Sequence, residues 1–343
     1  MPEIKIGKVP NKLLKELVIG KMLVTDTRVL LSGGIGEDFG VLDFGGECFI
    51  VSSDPITSAA NNAGKLAVHV ACNDIATCGA RPIAILTTLL LPPGATEDGL
   101  SAIADEIAAA AALIGVSVIG GHTEVTDAVN RIVISVTAIG AAKHGAYVTT
   151  GGAAAGDSLI MTKSAGLEGA AIIAAEREEE LSRHFGKAFV ESAKQFYDNI
   201  SVVAEGAIAG SFGVNAMHDA TEGGIYGAAW EMAEASGKGI ALYREKISLN
   251  FETSKICDFY GIDAYRLISS GSMLIATDKP CELISLLGAS GIGAAIIGEF
   301  GADMHERFIM CGAAPGASPG AASERLEQPG PDELYKIIRN HSY

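Results

Sequence analysis

Four short motifs, Gly36-Glu37-Asp38, Ser53-Asp54, Asn73-Asp74 and His218-Asp219-Ala220-Thr221-Glu222-Gly223-Gly224, each place a carboxylate beside glycine or an apolar run. A single Asp on a turn serves nearby backbone N–H groups. Several together, joined by Gly120-Gly121-His122-Thr123-Glu124, make a set of hard oxygen donors suited to a divalent cation and phosphate. The two commonest phosphate loops are absent: there is no Gly-x-x-x-x-Gly-Lys-Ser/Thr, and Gly34-Ile35-Gly36 lacks the third glycine of a dinucleotide fingerprint. A nucleotide would therefore have to be held another way. Glycines 33, 34, 36, 120 and 121 either bring backbone N–H groups close to anionic oxygen or simply make tight turns. Lys163 is either a phosphate or acyl-phosphate contact or a solvated lysine.

The elements that must carry these groups follow from hydrophobic period. Pro10-Asn11 followed by Leu13, Leu14, Leu17 and Val18 predicts a capped amphipathic helix. Cys48 to Ser52 reads as a strand, and Gly64 to Cys78 as a helix with Asn73-Asp74 in its last turns. Ile83 to Leu91 is a buried strand closed by Pro92-Pro93, and Thr96 caps an alanine-rich helix reaching about Ile114. Strands at 116–119 and 131–140 follow. The aperiodic stretch from His144 to Gly156 marks a domain boundary, giving domains at 1–148 and 149–311. In the second domain we expect strand 158–162, helices 167–180 and 187–209, strand 214–218 and helix 224–236. Strands at 272–277, 292–300 and 307–310 complete it, in an order that is not strictly parallel. Residues 312–343 read as a flexible small-residue segment and a short helix at 331–339.

The chain of 343 residues, 48% of them apolar, is long enough for two cores. Its net charge of -16, with dispersed Lys and Arg, argues against a nucleic-acid or anionic-membrane surface. It leaves nucleotides open, because magnesium can stand between acidic side chains and a triphosphate. Six cysteines, with no Cys-x-x-Cys pair and no zinc-ligand spacing to histidine, fit free thiols in a reducing compartment. His69 and Cys72 share a helix face, but two residues make a poor metal site. Without a signal-peptide core after Met1 or an apolar run of about 20 residues, the expected location is cytoplasmic.

Across residues 30–300 the order of motifs resembles the PurM-like (AIR synthase-related) superfamily. The resemblance rests on Gly36-Glu37-Asp38-Phe39-Gly40-Val41, Ser52-Ser53-Asp54, the segment from Val70 to Pro82, Gly120-Gly121-His122-Thr123-Glu124-Val125, and His218 to Gly224. The segment from Val70 to Pro82 is the most specific. Within the superfamily, Gly7-Lys8-Val9-Pro10 and the Asp-Ala-Thr run look most like the HypE hydrogenase-maturation branch. The resemblance implies a two-domain α+β or α/β fold. Its N-terminal half-barrel sheet with helices would be completed in a homodimer, and a C-terminal α/β domain would follow, with ATP in the cleft. It also implies that Asp38, Asp54 and Asp74 coordinate Mg2+, with Asn73 near the phosphates, Asp219 entering from the second domain, and Gly36, Gly120, Gly121 and Thr123 contacting nucleotide.

The implied reaction is attack of an amide-like oxygen on the terminal phosphate of ATP, giving ADP and a phosphorylated intermediate that loses phosphate. The substrate is a small molecule or is carried on a protein, and a maturation partner fits the HypE-like pattern. Two alternatives are a nucleotide-binding scaffold without turnover and a kinase resembling thiamine-monophosphate kinase. His122 replaces the acidic residue usual before Thr, and is either a general acid/base or a neighbour's hydrogen-bond partner. Glu124 would then supply the carboxylate, making His122, Glu124 and Lys163 the catalytic candidates. Glu222 stands where HypE-like sequences carry arginine. HypE ends in a carbamoyl-accepting cysteine, whereas the last cysteine here is Cys311 and the sequence closes Asn340-His341-Ser342-Tyr343, so that particular activity is not expected.

Overall fold

The computed structural model describes residues 8–57, 62–312 and 323–338. Gly7, the small-residue run of 313–322, Arg339 and the terminal Asn340–Tyr343 lie outside the described residues. The N-terminal half runs α1 (Asn11–Leu17), β1 (Val29–Leu31), β2 (Gly40–Asp43), β3 (Glu47–Ile56), α2 (Ala63–Thr77), β4 (Arg81–Leu91), α3 (Glu97–Ile114), β5 (Ser117–Val125) and β6 (Val133–Lys143). Its six strands form one sheet in the order β1-β2-β3-β6-β4-β5, antiparallel except for the β4–β5 pair that α3 joins. Strand β6 alternates half-buried and buried residues along most of its length, so one face packs inward.

Helix α2 explains how carboxylates come to be buried here. Of its 15 residues 13 are buried, so it is a central helix rather than an amphipathic one. It lies against β3 and β6 on one side and against α3 and α7 on others. Close approach to α7 depends on glycine, because a Cβ at Gly206 would stand 2.2 Å from the Ala76 carbonyl oxygen. Helix α3 starts where the sequence predicts, with Thr96 Oγ1 accepting from Gly99 N at 3.1 Å.

The second half comprises β7 (Ser158–Thr162), α4 (Leu167–Glu176), α5 (Glu178–Phe185), α6 (Lys187–Lys194), α7 (Val203–Phe212), β8 (Ala216–Asp219), α8 (Gly224–Ser236), β9 (Gly239–Tyr243), α9 (Phe251–Tyr260), β10 (Met273–Thr277), α10 (Pro280–Ala289), β11 (Ala294–Gly301), β12 (Arg307–Met310), β13 (Ser323–Arg325) and α11 (Tyr335–Ile338). The seven strands form a mixed sheet, β13-β12-β9-β11-β7-β10-β8. The architecture is the expected two-domain α/β one. The sheets span Val29–Lys143 and Ser158–Arg325, so residues expected to stand apart after 311 supply an edge strand to the second sheet.

Three differences from the sequence reading have local causes. The helix expected over 167–180 divides at Arg177. The one expected over 187–209 breaks into α6, a tight turn at Gln195–Asn199, and α7. The strand expected at 116–119 continues to Val125 and absorbs Gly120–Glu124, because it pairs with β4 as far as Leu91. Helices α9 and α10 and strand β9 were not anticipated.

Candidate functional site

Asp38 follows the Gly36 turn, where φ is +77° and a Cβ would approach the Glu231 carbonyl at 3.3 Å. Asp54 sits near the end of β3, Asp74 in the last turn of α2, and Asp219 at the end of β8, a strand buried along its whole length. Asp38, Asp54 and Asp74 line a single cavity of about 160 Å³. Asp219 closes on Asp38 and His218, whose ligand atoms lie within 4.8 Å of one another. Asp38, Asp54, Asp74 and Asp219 therefore converge from both domains.

Electrostatics record the crowding. Burial pushes Asp74 well above the ordinary carboxylate range, and Asp54, through charge and a shared hydrogen bond, pushes it further. Asp219 is raised to about 7, mainly by burial, with His218 opposing and Asp38 and Asp54 adding. Asp38 is raised by desolvation, against the opposing charges of His218 and Lys8. Both oxygens of Asp219 are buried without a hydrogen-bond partner. Clustered hard oxygen donors whose protons are retained through burial and mutual repulsion, one of them with no hydrogen-bond partner on either oxygen, fit a divalent cation such as Mg2+.

Several supporting groups escaped the sequence reading. Ser52 Oγ lies 2.8 Å from the Asp38 carbonyl oxygen and also contacts the Asp74 carboxylate, so one hydroxyl links two of the acids. His218 Nε2 bonds Glu231 Oε2 at 3.1 Å, and Nδ1 stands 3.8 Å from Asp38 Oδ2. Burial lowers the pKa of this imidazole, but Glu231 and Asp38 outweigh it and raise the value to about 9, leaving a cation that orients Asp38. Glu231 is 13 residues along on α8, and no local pattern marks it as the partner of His218.

A second acidic group lines the same cavity: Glu168 from α4, Glu222 from the turn before α8, and Asp332 from the segment before α11. Glu168 is pushed up to about 7, chiefly by burial; Ser270 opposes, and Asp332, Glu222 and Asp219 add to the rise. Its Oε2 and that of Glu222 have no hydrogen-bond partner. Tyr335 donates to Glu222 Oε1 at 2.9 Å and Asp332 Oδ2 accepts from Gly223 N at 2.7 Å, so this segment forms one wall.

Other candidates fall elsewhere. Asn73 adjoins Asp74, but its side-chain amide donates to the Ile200 carbonyl and its oxygen accepts from Val202 N, each at 2.9 Å. It holds the break between α6 and α7. Lys163 donates to the carbonyls of Asn199, Ser201 and Gly271 and pairs with buried Glu205 at 2.6 Å. Its ammonium is held by three carbonyls and one buried carboxylate. Gly120, Gly121, His122, Thr123 and Glu124 lie on β5, exposed throughout and at the sheet edge, and none lines the cavity. Gly121 is required by packing, since a Cβ there would stand 1.8 Å from the Thr87 carbonyl oxygen. His122 Nε2 meets Glu124 Oε2 at 3.3 Å, the neighbour bond left open as the alternative to catalysis. His69 and Cys72 are buried, with the imidazole pushed down to about 4 and the thiol up to about 12 by desolvation, and neither joins a metal-ligand cluster among the described residues.

Two family models match in sequence order: AIR synthase related protein, N-terminal domain, over residues 36–142, and AIR synthase related protein, C-terminal domain, over 154–311. The chain belongs to the AIR synthase-related, PurM-like family. Among curated relatives of this AIR synthase-related chain, a putative hydrogenase expression/formation protein of Methanocaldococcus jannaschii is 30% identical over 282 residues, 80% of this chain and 81% of the relative. Carbamoyl dehydratase HypE of Rhizobium leguminosarum bv. viciae is 30% identical over 261 residues, 74% and 72% of the two chains. A HypE–HypF complex contains a chain with TM-score 0.74 at 23% identity, covering 92% of this chain and 99% of that one. HypE in complex with ATP gives 0.67 at 18%, covering 96% and 97%. Both structural matches establish the shared fold. No helix among the described residues is long and apolar enough to cross a membrane.

Proposed function

We propose that this protein is an ATP- and Mg2+-dependent enzyme that phosphorylates an amide-like oxygen, releasing ADP and then phosphate. The observation that carries the reading is Asp219. A carboxylate with both oxygens buried and unpartnered, facing Asp38 beside the cavity that Asp54 and Asp74 line, would be satisfied by a bound cation. Asp38, Asp54, Asp74 and Asp219 would hold that ion, and Mg2+ there would neutralise charge on the transferring phosphoryl group. The ATP complex of a HypE of the same fold supports nucleotide as the second substrate.

The two acidic ends of the cavity favour an amide. Its oxygen would face the phosphate end, while its N–H groups would be accepted by the free oxygens of Glu168 and Glu222. As the new O–P bond forms, the bond from the terminal phosphorus to the ADP bridging oxygen breaks and the amide nitrogen loses a proton. Glu168, raised to about 7, is matched to accept that proton near neutrality. Loss of phosphate from the O-phosphorylated imidate then yields either a nitrile or, after attack by a nucleophile, a substituted product.

A homodimer fits the nine exposed residues of edge strand β5, which a second copy would cover. It would give Gly120–Glu124 a role beyond one chain. The HypE–HypF complex supports a protein partner, and the six unpaired cysteines suit a cytoplasmic setting. The reading without turnover is supported by Glu222, an acid where HypE-like sequences carry a phosphate-compatible arginine.

Calorimetric titration with a non-hydrolysable ATP analogue, with and without magnesium, tests the site; phosphate release on addition of primary amides tests the reaction. Magnesium-dependent binding with amide-stimulated phosphate release is expected. Binding without turnover selects the scaffold, a stable phosphorylated product selects the kinase, and no binding in either condition refutes the assignment.

A further inference from the structure

Away from the cavity, at the far end of the N-terminal sheet, three side chains of metal-ligating type meet around one nitrogen. Asp43 ends β2 and Cys48 lies directly opposite it in β3. The turn between them uses Gly45 and Gly46, at φ +84° and +117°. His144 follows β6 and donates its backbone N–H to the Gly46 carbonyl at 3.3 Å, which ties the end of β6 to the hairpin. Within this frame His144 Nδ1 is 3.5 Å from Asp43 Oδ2 and 3.8 Å from Cys48 Sγ.

Both contacts fall on the same ring nitrogen. A nucleophile–base–carboxylate relay uses opposite nitrogens of the imidazole, so a catalytic triad does not fit. A cation among the three atoms does. Zinc bond lengths with tetrahedral angles require S···N and N···O separations of about 3.6 and about 3.4 Å, a few tenths from those present. The surroundings are also those of a built site. Asp43 Oδ1 accepts from Gly45 N at 2.9 Å, which leaves Oδ2 for the shared centre. Cys48 is fully buried, whereas His144 is 54% exposed, so a fourth position opens to water.

We propose that Asp43, Cys48 and His144 bind a borderline divalent transition metal of the zinc class, with solvent as the fourth ligand. The site is separate from the carboxylates of the cavity, whose donors are mainly oxygen. Sulfur and nitrogen select against magnesium here as oxygen selects for it there. The ion would pin the β2–β3 hairpin to β6, three strands that share one sheet.

The full chain, stripped with a chelator and returned to excess magnesium so that the carboxylate site is occupied, is titrated with Co2+. One equivalent should bind with a thiolate-to-cobalt charge-transfer band, and Zn2+ should displace it. Cys48→Ser should abolish the band. His144→Ala, at an exposed position that leaves the core intact, should weaken cobalt binding about tenfold or more. Asp219→Asn should leave it unchanged. Cobalt bound without the band, a band that survives Cys48→Ser, affinity indifferent to His144→Ala, or no binding by the folded wild-type chain would each overturn the proposal.

Discussion

Asn in place of Asp219 should stabilise the cation-free protein while disabling it. The folded-state value is about 7, whereas an unfolded aspartate sits near 3.8. Between those values the folded chain holds a proton that the unfolded chain has released, so stability falls as pH rises through this window. A difference of about three pH units at about 1.4 kcal/mol each gives a cost approaching ~4 kcal/mol above pH 7. Asparagine keeps the shape and removes the charge. In chelator at pH 8, Asp219→Asn should therefore melt several degrees above wild type, at roughly 2–4 °C per kcal/mol. The gap should close as pH falls below about 4, where the wild-type carboxyl is protonated in both states. With saturating magnesium the gap should narrow, because wild type gains more binding energy than the variant. Thermal melts across pH, in chelator and in magnesium, read all three arms. Equal melting of the two proteins at pH 8 in chelator would falsify the claim that this carboxylate is buried at a cost for a cation.

Asp54→Asn and Asp74→Asn should each weaken magnesium-dependent binding of an ATP analogue tenfold or more, measured by calorimetry, without loss of the folded far-ultraviolet spectrum. Glu168→Gln should leave nucleotide affinity within about twofold and lower amide-stimulated phosphate release by about 10²-fold, the range of a lost proton acceptor. Its loss should also remove the rise in rate through pH 7, which a pH–rate profile reads. Asn73→Ala should lower stability by about 2–4 kcal/mol through two orphaned backbone groups, seen in denaturant melts, because its amide holds Ile200 and Val202.

The acids at element ends were legible because each sat in a short motif whose position along a strand or helix followed from hydrophobic period. Asp38, Asp54, Asp74 and Asp219 needed no knowledge of distant partners to be singled out. Asn73 and Lys163 carried equally suggestive chemistry, yet their partners lie 127 and 129 residues away for the one, and 36, 38 and 108 for the other. Only tertiary placement distinguishes a phosphate contact from a clamp on carbonyls. Gly120–Glu124 is ambiguous for a related reason: glycines that admit phosphate also admit a neighbouring strand, and in one chain Gly121 serves the second need. Glu168 went unread because one acid in the first turn of an apolar helix looks like a dipole partner. Helix α2 shows the same limit in the fold, since its period is clear while its burial on all sides depends on α7.

The four carboxylates also have a mechanical meaning. Three belong to the first sheet and its helix, and the fourth to the second sheet, so an ion shared among them is a removable rivet between two bodies. Its occupancy would set whether those bodies melt as one cooperative unit or as two, making calorimetric cooperativity itself a gauge of ligation. Cellular magnesium would then tune the stiffness of the joint as well as the charge in the cleft.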